Sequence, residues 1–405
     1  MQLKLTPRLE SFQEEVRTFL SKELEPEMVA AVRSTTTVWV EREAMLSWQR
    51  KLSKRGWAVP HWPEQFGGTD WTPMQHYIFE VECARANAPE LTAMGVKMVG
   101  PVIIRFGSDW QREQYLPRIA SGDDFWCQGF SEPGSGSDLA SLSCRAERKG
   151  DEYILNGSKL WTTDAHHANR IFVLVRTSNE DRPQKGISFI LLDLDTPGVS
   201  VTPIISASGD HEVNQVFFED ARVPASQLVG EEGSGWTYAK YLLGFERGGS
   251  IKAERLKQEL QRVNRLLLSK VRGQNDHFSM KEIERELARL EILVESLSYT
   301  EMRVVAQLEA GGGEPGPEAS VLKVEHTEIM QRITELAMTA LGPYGAILER
   351  DRPIDGGRFS NQTGDITKDM LPIVPRYLNF RAATIYGGSN EVQRNIIAKT
   401  ALHLP

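Results

Sequence analysis

Three short segments and one carboxylate carry residue types that could do chemistry. Ser131-Glu132-Pro133-Gly134-Ser135-Gly136-Ser137-Asp138 combines glycines, which let backbone N–H groups come close to a ligand, with serine hydroxyls that can hydrogen-bond it. It matches neither the GxGxxG dinucleotide fingerprint nor the phosphate-binding P-loop. Further on, Asn156-Gly157-Ser158-Lys159-Leu160-Trp161-Thr162-Thr163 reads as an Asn-Gly hairpin turn followed by a tryptophan and two hydroxyls. Near the C-terminus, Ile385-Tyr386-Gly387-Gly388-Ser389-Asn390-Glu391-Val392 reads as a glycine turn leading into a helix whose first N–H groups could hold an anionic or carbonyl group. Glu246 follows Ala239, Leu242 and Leu243 at helical spacing, so its carboxylate projects from an otherwise apolar face. Burial raises a carboxylate's pKa and strengthens it as a base, whereas a surface pairing with Arg247 would leave an ordinary helix residue. Each segment taken alone reads equally well as a turn or as core packing.

The elements that must position these residues follow from pattern. Thr6-Pro7 reads as an N-cap with proline at the first helical position, and Leu9, Phe12, Val16, Phe19 and Leu20 recur at helical spacing behind it. Helical periods return at Met45 to Arg55, Met74 to Ala88 and Asp109 to Ile119. Short β-rich runs then span Tyr153 to Leu155, Ile171 to Thr177, Ile187 to Leu192, Val199 to Ile204 and Val216 to Phe218. From Trp236 the helical period resumes, with Ser279-x-x-Glu282 as a capping-box pattern ahead of Ile283, Leu287, Leu290, Val294 and Leu297, and Gly311 to Pro317 as a loop between long helices. The reading is a mixed, mainly α chain of three units. Residues 1–125 form a helical domain, 126–235 a small β-domain of barrel or sandwich type, and 236–405 a four-helix bundle.

Composition bounds the function. A chain of 405 residues is longer than one core usually serves, and 40% hydrophobic with 25% charged residues is globular. The net charge of −8 supplies no broad cationic field for nucleic acid or an anionic membrane. Glu10, Glu14, Glu15, Glu23 and Glu25 interrupt any secretory apolar run, and no long apolar segment suits membrane insertion. Cys83, Cys127 and Cys144 are odd in number and lack metal-ligand spacing, which suits packing residues in a reducing cytoplasm.

Taken together, in this order and at this separation, the three segments resemble the acyl-CoA dehydrogenase family over nearly the whole chain, most strongly from Trp126 to Arg176 and from Ile385 to Leu402. The resemblance implies FAD-dependent oxidation of the α,β-bond of an acyl-CoA thioester to the trans-2-enoyl-CoA, within lipid metabolism and β-oxidation. It implies that Gln128, Phe130, Ser131, Gly136 and Ser137 form the strand and loop that hold the flavin ring, that Trp161, Thr162 and Thr163 cover its other side, and that Ser389 and Glu391 touch the diphosphate or adenosine part. Ser137 and Arg247 fall to the substrate. The chemistry needs a base at the α-carbon, donors to the thioester carbonyl and a hydride acceptor at the β-carbon.

Gly387 stands where many relatives carry the base, leaving its N–H to polarise the carbonyl. Another branch supplies the glutamate from the first helix of the C-terminal bundle in a Glu-Arg pair, and Leu243-Gly244-Phe245-Glu246-Arg247 resembles that segment. Two further departures touch the same end of the cofactor: Arg272 to Phe278 lacks the Arg-x-x-Phe-Gly pattern of homotetramers, and Thr339 to Gly345 lacks the usual Gln and Gly-Gly turn. The sequence is similar to large catalytic subunits of the pimeloyl-CoA and steroid side-chain branch, which implies a second dehydrogenase subunit or self-association, with electron-transfer flavoprotein or a similar acceptor. The alternatives are an acyl-CoA oxidase and a noncatalytic acyl-CoA- or flavin-binding subunit of a hetero-oligomer.

Overall fold

The computed structural model describes residues 5–248, 252–268, 277–311, 316–349 and 370–404, with the side chains of 245–248 and 277–279 outside the description. Helix α1 (Pro7–Glu23) starts at Thr6, whose hydroxyl accepts from the Leu9 N–H at 3.4 Å, and it buries Phe12, Val16 and Leu20. Helices α2 (Pro26–Ser34), α3 (Arg42–Arg55), α4 (Pro73–Arg85), α5 (Gly100–Phe106) and α6 (Asp109–Ser121) follow. Thr72 and Gln75 close a capping box on α4, and Ser108 with Gln111 closes another on α6.

Met94–Val99 winds as a π-helix straight into α5. Pro101 accounts for its chemistry. In this wide turn a carbonyl looks to the N–H five residues on, and Pro101 has none to give Val96. The Trp62 indole N–H donates to the Val96 carbonyl instead, at 2.8 Å. Gly100 leaves room for that ring, since a Cβ there would stand 2.3 Å from Trp62 Cζ2.

The middle of the chain is one seven-stranded sheet: β1 (Trp126–Gly129), β2 (Arg145–Lys149), β3 (Glu152–Thr163), β4 (Arg170–Arg176), β5 (Ile187–Asp193), β6 (Val199–Ile205) and β7 (His211–Pro224), in the order β1-β4-β2-β3-β7-β6 with β5 also on β4. Both faces are covered where β4 and β5 lie. Ile171, Val173, Val175, Ile190 and Leu192 join one buried cluster, and Phe172, Leu174, Phe189 and Leu191 join another with Val102, Ile103 and Leu116 of the helical domain. These strands therefore read as continuous apolar runs, without a solvent-facing alternation. The exposed edge strand β6 carries Pro203, which such an edge tolerates.

Asn156-Gly157 is not a hairpin turn. It lies inside β3, where the register with β7 shifts between Leu155 and Gly157, and the hairpin closes instead between Lys149 and Glu152. Gly157 has φ +140°, and a Cβ on it would fall 2.8 Å from Cys144 Cα. The glycine serves a bulge pressed against a neighbouring segment.

Helix α7 (Gly235–Gly248) buries Ala239 and Leu242 in the cluster shared by the sheet and the helical domain. Helices α8 (Ala253–Leu268), α9 (His277–Glu309) and α10 (Glu318–Leu341) pack on one another, α11 (Ile373–Asn379) meets α10, and α12 (Asn390–Thr400) lies along it. Ile283, Leu290, Val294 and Leu297 form the buried stripe of α9 as their spacing predicts. The helix begins earlier than the Ser279-x-x-Glu282 pattern predicts, since the chain is already helical from His277. The segment Arg272 to Phe278 lies almost wholly outside the described residues, as does part of the loop Gly311 to Pro317. All three cysteines are buried thiols.

Candidate active site

The first chemical segment is built on a buried ion pair that the sequence reading missed. Strand β1 leads through buried Phe130 to Ser131 and then to a tight turn in which Glu132 and Ser135 exchange backbone hydrogen bonds of 2.9 and 3.0 Å. Lys159 Nζ on β3 reaches Glu132 Oε1 at 2.7 Å, with side-chain exposures of 0% and 5%, and also donates to the Phe130 carbonyl at 3.2 Å. The backbone N–H groups of Ser143 and Cys144 donate to the same carboxylate at 2.7 and 2.9 Å. Burial works to raise Glu132, but the Lys159 charge and these donors hold its carboxyl below the ordinary value. The Leu160 N–H donates to the Ser131 carbonyl at 2.8 Å, which joins the first segment to the second. Gly136 and Ser137 stay exposed on the outside of the turn. A Cβ on Gly136 would meet nothing within 4 Å, so open space faces it.

The second segment leaves regular strand geometry. Between Lys159 and Thr162 the β3–β7 register shifts again, and Trp161 and Asp164 both take left-handed backbone conformations, at φ +60° and +55°. Such values are costly for a tryptophan and mark a place where the surroundings fix the chain. Trp161 is 59% exposed, while Thr162 is fully buried and its Oγ1 has no hydrogen-bond partner. The exposed Trp161 ring is the face that this bulge offers to a ligand, whereas the Thr162 hydroxyl is sealed inside the fold. Asn214 on β7 donates to the Thr162 carbonyl at 3.0 Å. Asp164 is pushed up to about 7, first by burial and then by the charge of Glu212.

Glu212 ties three parts of the chain together. Its carboxylate accepts from the Val38 N–H of the helical domain at 2.7 Å and from Asn379 Nδ2 at the end of α11 at 2.8 Å. Asn379 leads into the third segment. There Gly387 and Gly388 take φ +65° and +79°, and Ser389 caps α12 by accepting from the Val392 N–H at 3.3 Å. Asn390 accepts from Lys323 Nζ at 2.8 Å and Gln393 from Ser320 Oγ at 2.8 Å, so two buried polar side chains clamp the turn onto α10. Glu391 is exposed, and its own N–H followed by Ser389 holds its carboxyl below the ordinary value. That is the behaviour of an acid at a helix N-terminus. Among the described residues nothing accepts from the Gly387 N–H.

Glu246 and Arg247 belong to the last turn of α7, and their side chains lie outside the described residues. The positions seven and four residues before Glu246, Ala239 and Leu242, are 1% and 0% exposed. A separate cavity of about 100 Å³ opens among α3, α4, the π-helix and α8. Trp48, Trp57, Trp62 and Phe79 give it an aromatic wall, and Lys97 and Arg255 line it as well. Arg255 Nε stands 3.7 Å from Glu90.

Family models agree with this architecture along the chain. The acyl-CoA dehydrogenase N-terminal domain matches residues 6–123, the middle domain 127–221 and the C-terminal domain 233–402. The chain belongs to the acyl-CoA dehydrogenase family. It is thus an oxidoreductase acting on acyl-CoA, in a family of flavoproteins. The acyl-CoA dehydrogenase IpdE1 of Mycobacterium tuberculosis is 35% identical over 401 residues, covering 98% of each chain. Acyl-CoA dehydrogenase FadE29 of the same organism is 33% identical over 411 residues, covering 100% of this chain and 99% of that one. Among solved structures, the ChsE4-ChsE5 complex from Mycobacterium tuberculosis superposes with TM-score 0.77 at 29% identity over 100% of both chains. The Tcur3481-Tcur3483 steroid ACAD does so with TM-score 0.81, also at 29% identity and 100% of both. These relatives place this acyl-CoA dehydrogenase in the steroid and pimeloyl branch. Among the described residues no helix is long and apolar enough to cross a membrane.

Within this family frame, the structure brings Ser131 to Ser137 and Lys159 to Thr163 together directly, and reaches the Gly387 turn through Glu212 and Asn379. Lys159 and Glu132 were hard to find because each sits in a run that also reads as polar surface. A lysine in a strand, matched to an acid in a glycine turn, was the only signal. Asn214 gave none.

Proposed function

We propose that the chain catalyses FAD-dependent α,β-dehydrogenation of an acyl-CoA to the trans-2-enoyl-CoA, with residues 1–125, 126–235 and 236–405 as its three working units. The observation that carries the reading is the Trp161 ring, exposed on a left-handed bulge next to Leu160, whose N–H is tied to the Ser131 carbonyl. Gln128, Phe130, Ser131, Gly136, Ser137, Trp161, Thr162 and Thr163 would hold the flavin ring, with Ser389 and Glu391 toward its diphosphate or adenosine part. Bound there, FAD would supply the acceptor for the two electrons that leave the substrate. Glu246 takes the α-proton onto its carboxylate, the Gly387 N–H polarises the thioester carbonyl, and Ser137 and Arg247 hold the CoA thioester. The relative described as a steroid ACAD makes a ring-bearing acyl group the substrate class to test. The flavin spectrum of the purified protein, followed anaerobically through additions of straight-chain and steroid acyl-CoAs, tests this. Bleaching by a ring-bearing substrate is expected; a protein that retains no FAD, alone or with a partner, overturns it.

A second dehydrogenase subunit completes the adenosine end of the site in this proposal, and electron-transfer flavoprotein or a similar acceptor removes the electrons. The relative solved as a ChsE4-ChsE5 complex and the departures at Arg272 to Phe278 and Thr339 to Gly345 support it. Co-expression with neighbouring-gene products, followed by mass and flavin occupancy, should give a hetero-oligomer. A fully occupied, active homo-oligomer would refute that pairing.

A further inference from the structure

Asn214 is fully buried and stands opposite Thr162 in the β3–β7 register, at the point where the ladder has just slipped. A slipped ladder does not serve every backbone carbonyl, and here a side chain takes over. Asn214 Nδ2 donates to the Thr162 carbonyl at 3.0 Å and lies 3.0 Å from His166 Nδ1, while His211 Nε2 lies 2.7 Å from Asn214 Oδ1. The carbonyl of Thr162 can only accept, so the amide nitrogen must face it. The amide oxygen then faces His211, which donates, and His166 presents a bare Nδ1 that accepts. The two imidazoles stack with centroids 3.8 Å apart and planes 21° apart, which fixes both rings around the amide. Only an amide has two donors and an acceptor in this arrangement. Aspartate would set an acceptor against the Thr162 carbonyl and another against His166.

We propose that Asn214 is a positioning residue for the flavin-facing bulge, holding the Thr162 carbonyl so that the left-handed Trp161 presents its exposed face to the ring. This rests on the assignment of that bulge to FAD. Where the β3–β7 register has slipped, Asn214 adds a side-chain hold on the Thr162 carbonyl to the backbone hydrogen bond from the Asp164 N–H to the Glu212 carbonyl. His166 and His211 act one step further out, by orienting Asn214.

The test titrates deflavinated protein with FAD, reading flavin fluorescence for affinity and the shape of the visible absorption band and the reduction potential for the ring's surroundings. Asn214→Asp is expected to weaken FAD binding about tenfold or more, the scale of one lost buried hydrogen bond, and to change both the band and the potential. His211→Phe keeps a ring in the stack and removes only the donor to Asn214 Oδ1, so it is expected to weaken binding less but shift the same band. It also serves if Asn214→Asp does not fold. Gln215→Ala, next along β7 but outside the network, is the control and should match the parent. If folded Asn214→Asp or His211→Phe binds FAD with parental affinity, band and potential, the positioning role is wrong. If the parent itself binds no FAD, the flavin assignment falls and this role falls with it.

Discussion

At the scale of single residues, the site separates groups that build it from groups that react. Lys159 and Glu132 build it. Removing one member of a buried pair leaves the other charge without compensation, which costs about 3–5 kcal/mol. Lys159→Met is therefore expected to lower the unfolding free energy by about that amount in urea titrations and to loosen the Ser131 turn, with FAD retention falling in parallel. An unchanged urea midpoint would show that the pair is dispensable. Glu246 is the group proposed to react. Glu246→Gln keeps size and loses basicity, so FAD binding should persist while single-turnover flavin reduction by an acyl-CoA slows roughly 10²–10⁴-fold. Glu391→Gln, at an exposed helix start, should affect cofactor retention more than the reduction step. Reversal of that ranking would move the base to Glu391.

At the scale of elements, periodicity made the helices legible and left the irregular strands opaque. Thr6-Pro7 and the stripe Phe12, Val16, Leu20 announce α1 because a cap and a 3.6-residue period are local facts. The site's two slips in β3 are not local. Asn156-Gly157 carries a hairpin signature, yet what decides its conformation is the Cys144 backbone lying close against Gly157 from β2's approach. In the same way the Glu132–Lys159 pair joins residues on two segments that only the folded sheet makes neighbours. The motif segments themselves were readable as a family resemblance, but not the framework beneath them. Gly157→Ala tests that framework. It forces a Cβ into Cys144 at a φ that side chains rarely adopt, and overpacking of this kind costs about 1–3 kcal/mol. Reduced thermal stability with a weakened flavin signal is expected, since the shift at Gly157 and the bulge at Trp161 lie on one strand. A variant as stable as its parent would mean that the bulge relaxes freely.

At the scale of the whole molecule, the junction that holds the three parts together is acidic and buried, and this gives stability a direction with pH. Glu212 joins the helical domain, β7 and α11, and burial raises its carboxyl against the hydrogen bonds from Asn379 and Val38. Asp164 beside it is pushed up to about 7 by burial and then by Glu212, and Glu301 in α9 reaches about 7 by burial despite the Ala253 and Lys252 N–H groups. A carboxyl whose folded value lies above its unfolded one, near ~4, binds more protons in the native state. Its contribution is fully present below the unfolded value and is lost as pH rises through the folded value. The carboxyls of Glu132 and Glu259 are lowered, so their contributions run the other way and are lost only as pH falls below the ordinary carboxylate range. His76, His166, His167 and His326 are all lowered by burial, so they oppose the raised acids and favour the fold as pH rises toward the ordinary imidazole range. Comparing urea unfolding of the parent with single acid-to-amide variants from about pH 5 to about pH 8 isolates the acids' share of the slope, which is a loss of stability with rising pH. Asp164→Asn removes the charge that forms in that window and keeps a side chain of similar shape. It should match the parent near the acid end and exceed it by roughly 1–3 kcal/mol at the alkaline end, flattening the slope. Glu301→Gln should flatten it independently, because the two acids sit in different elements and their effects add. An Asp164→Asn slope equal to the parental one would show that the junction acid is already ionised in the fold.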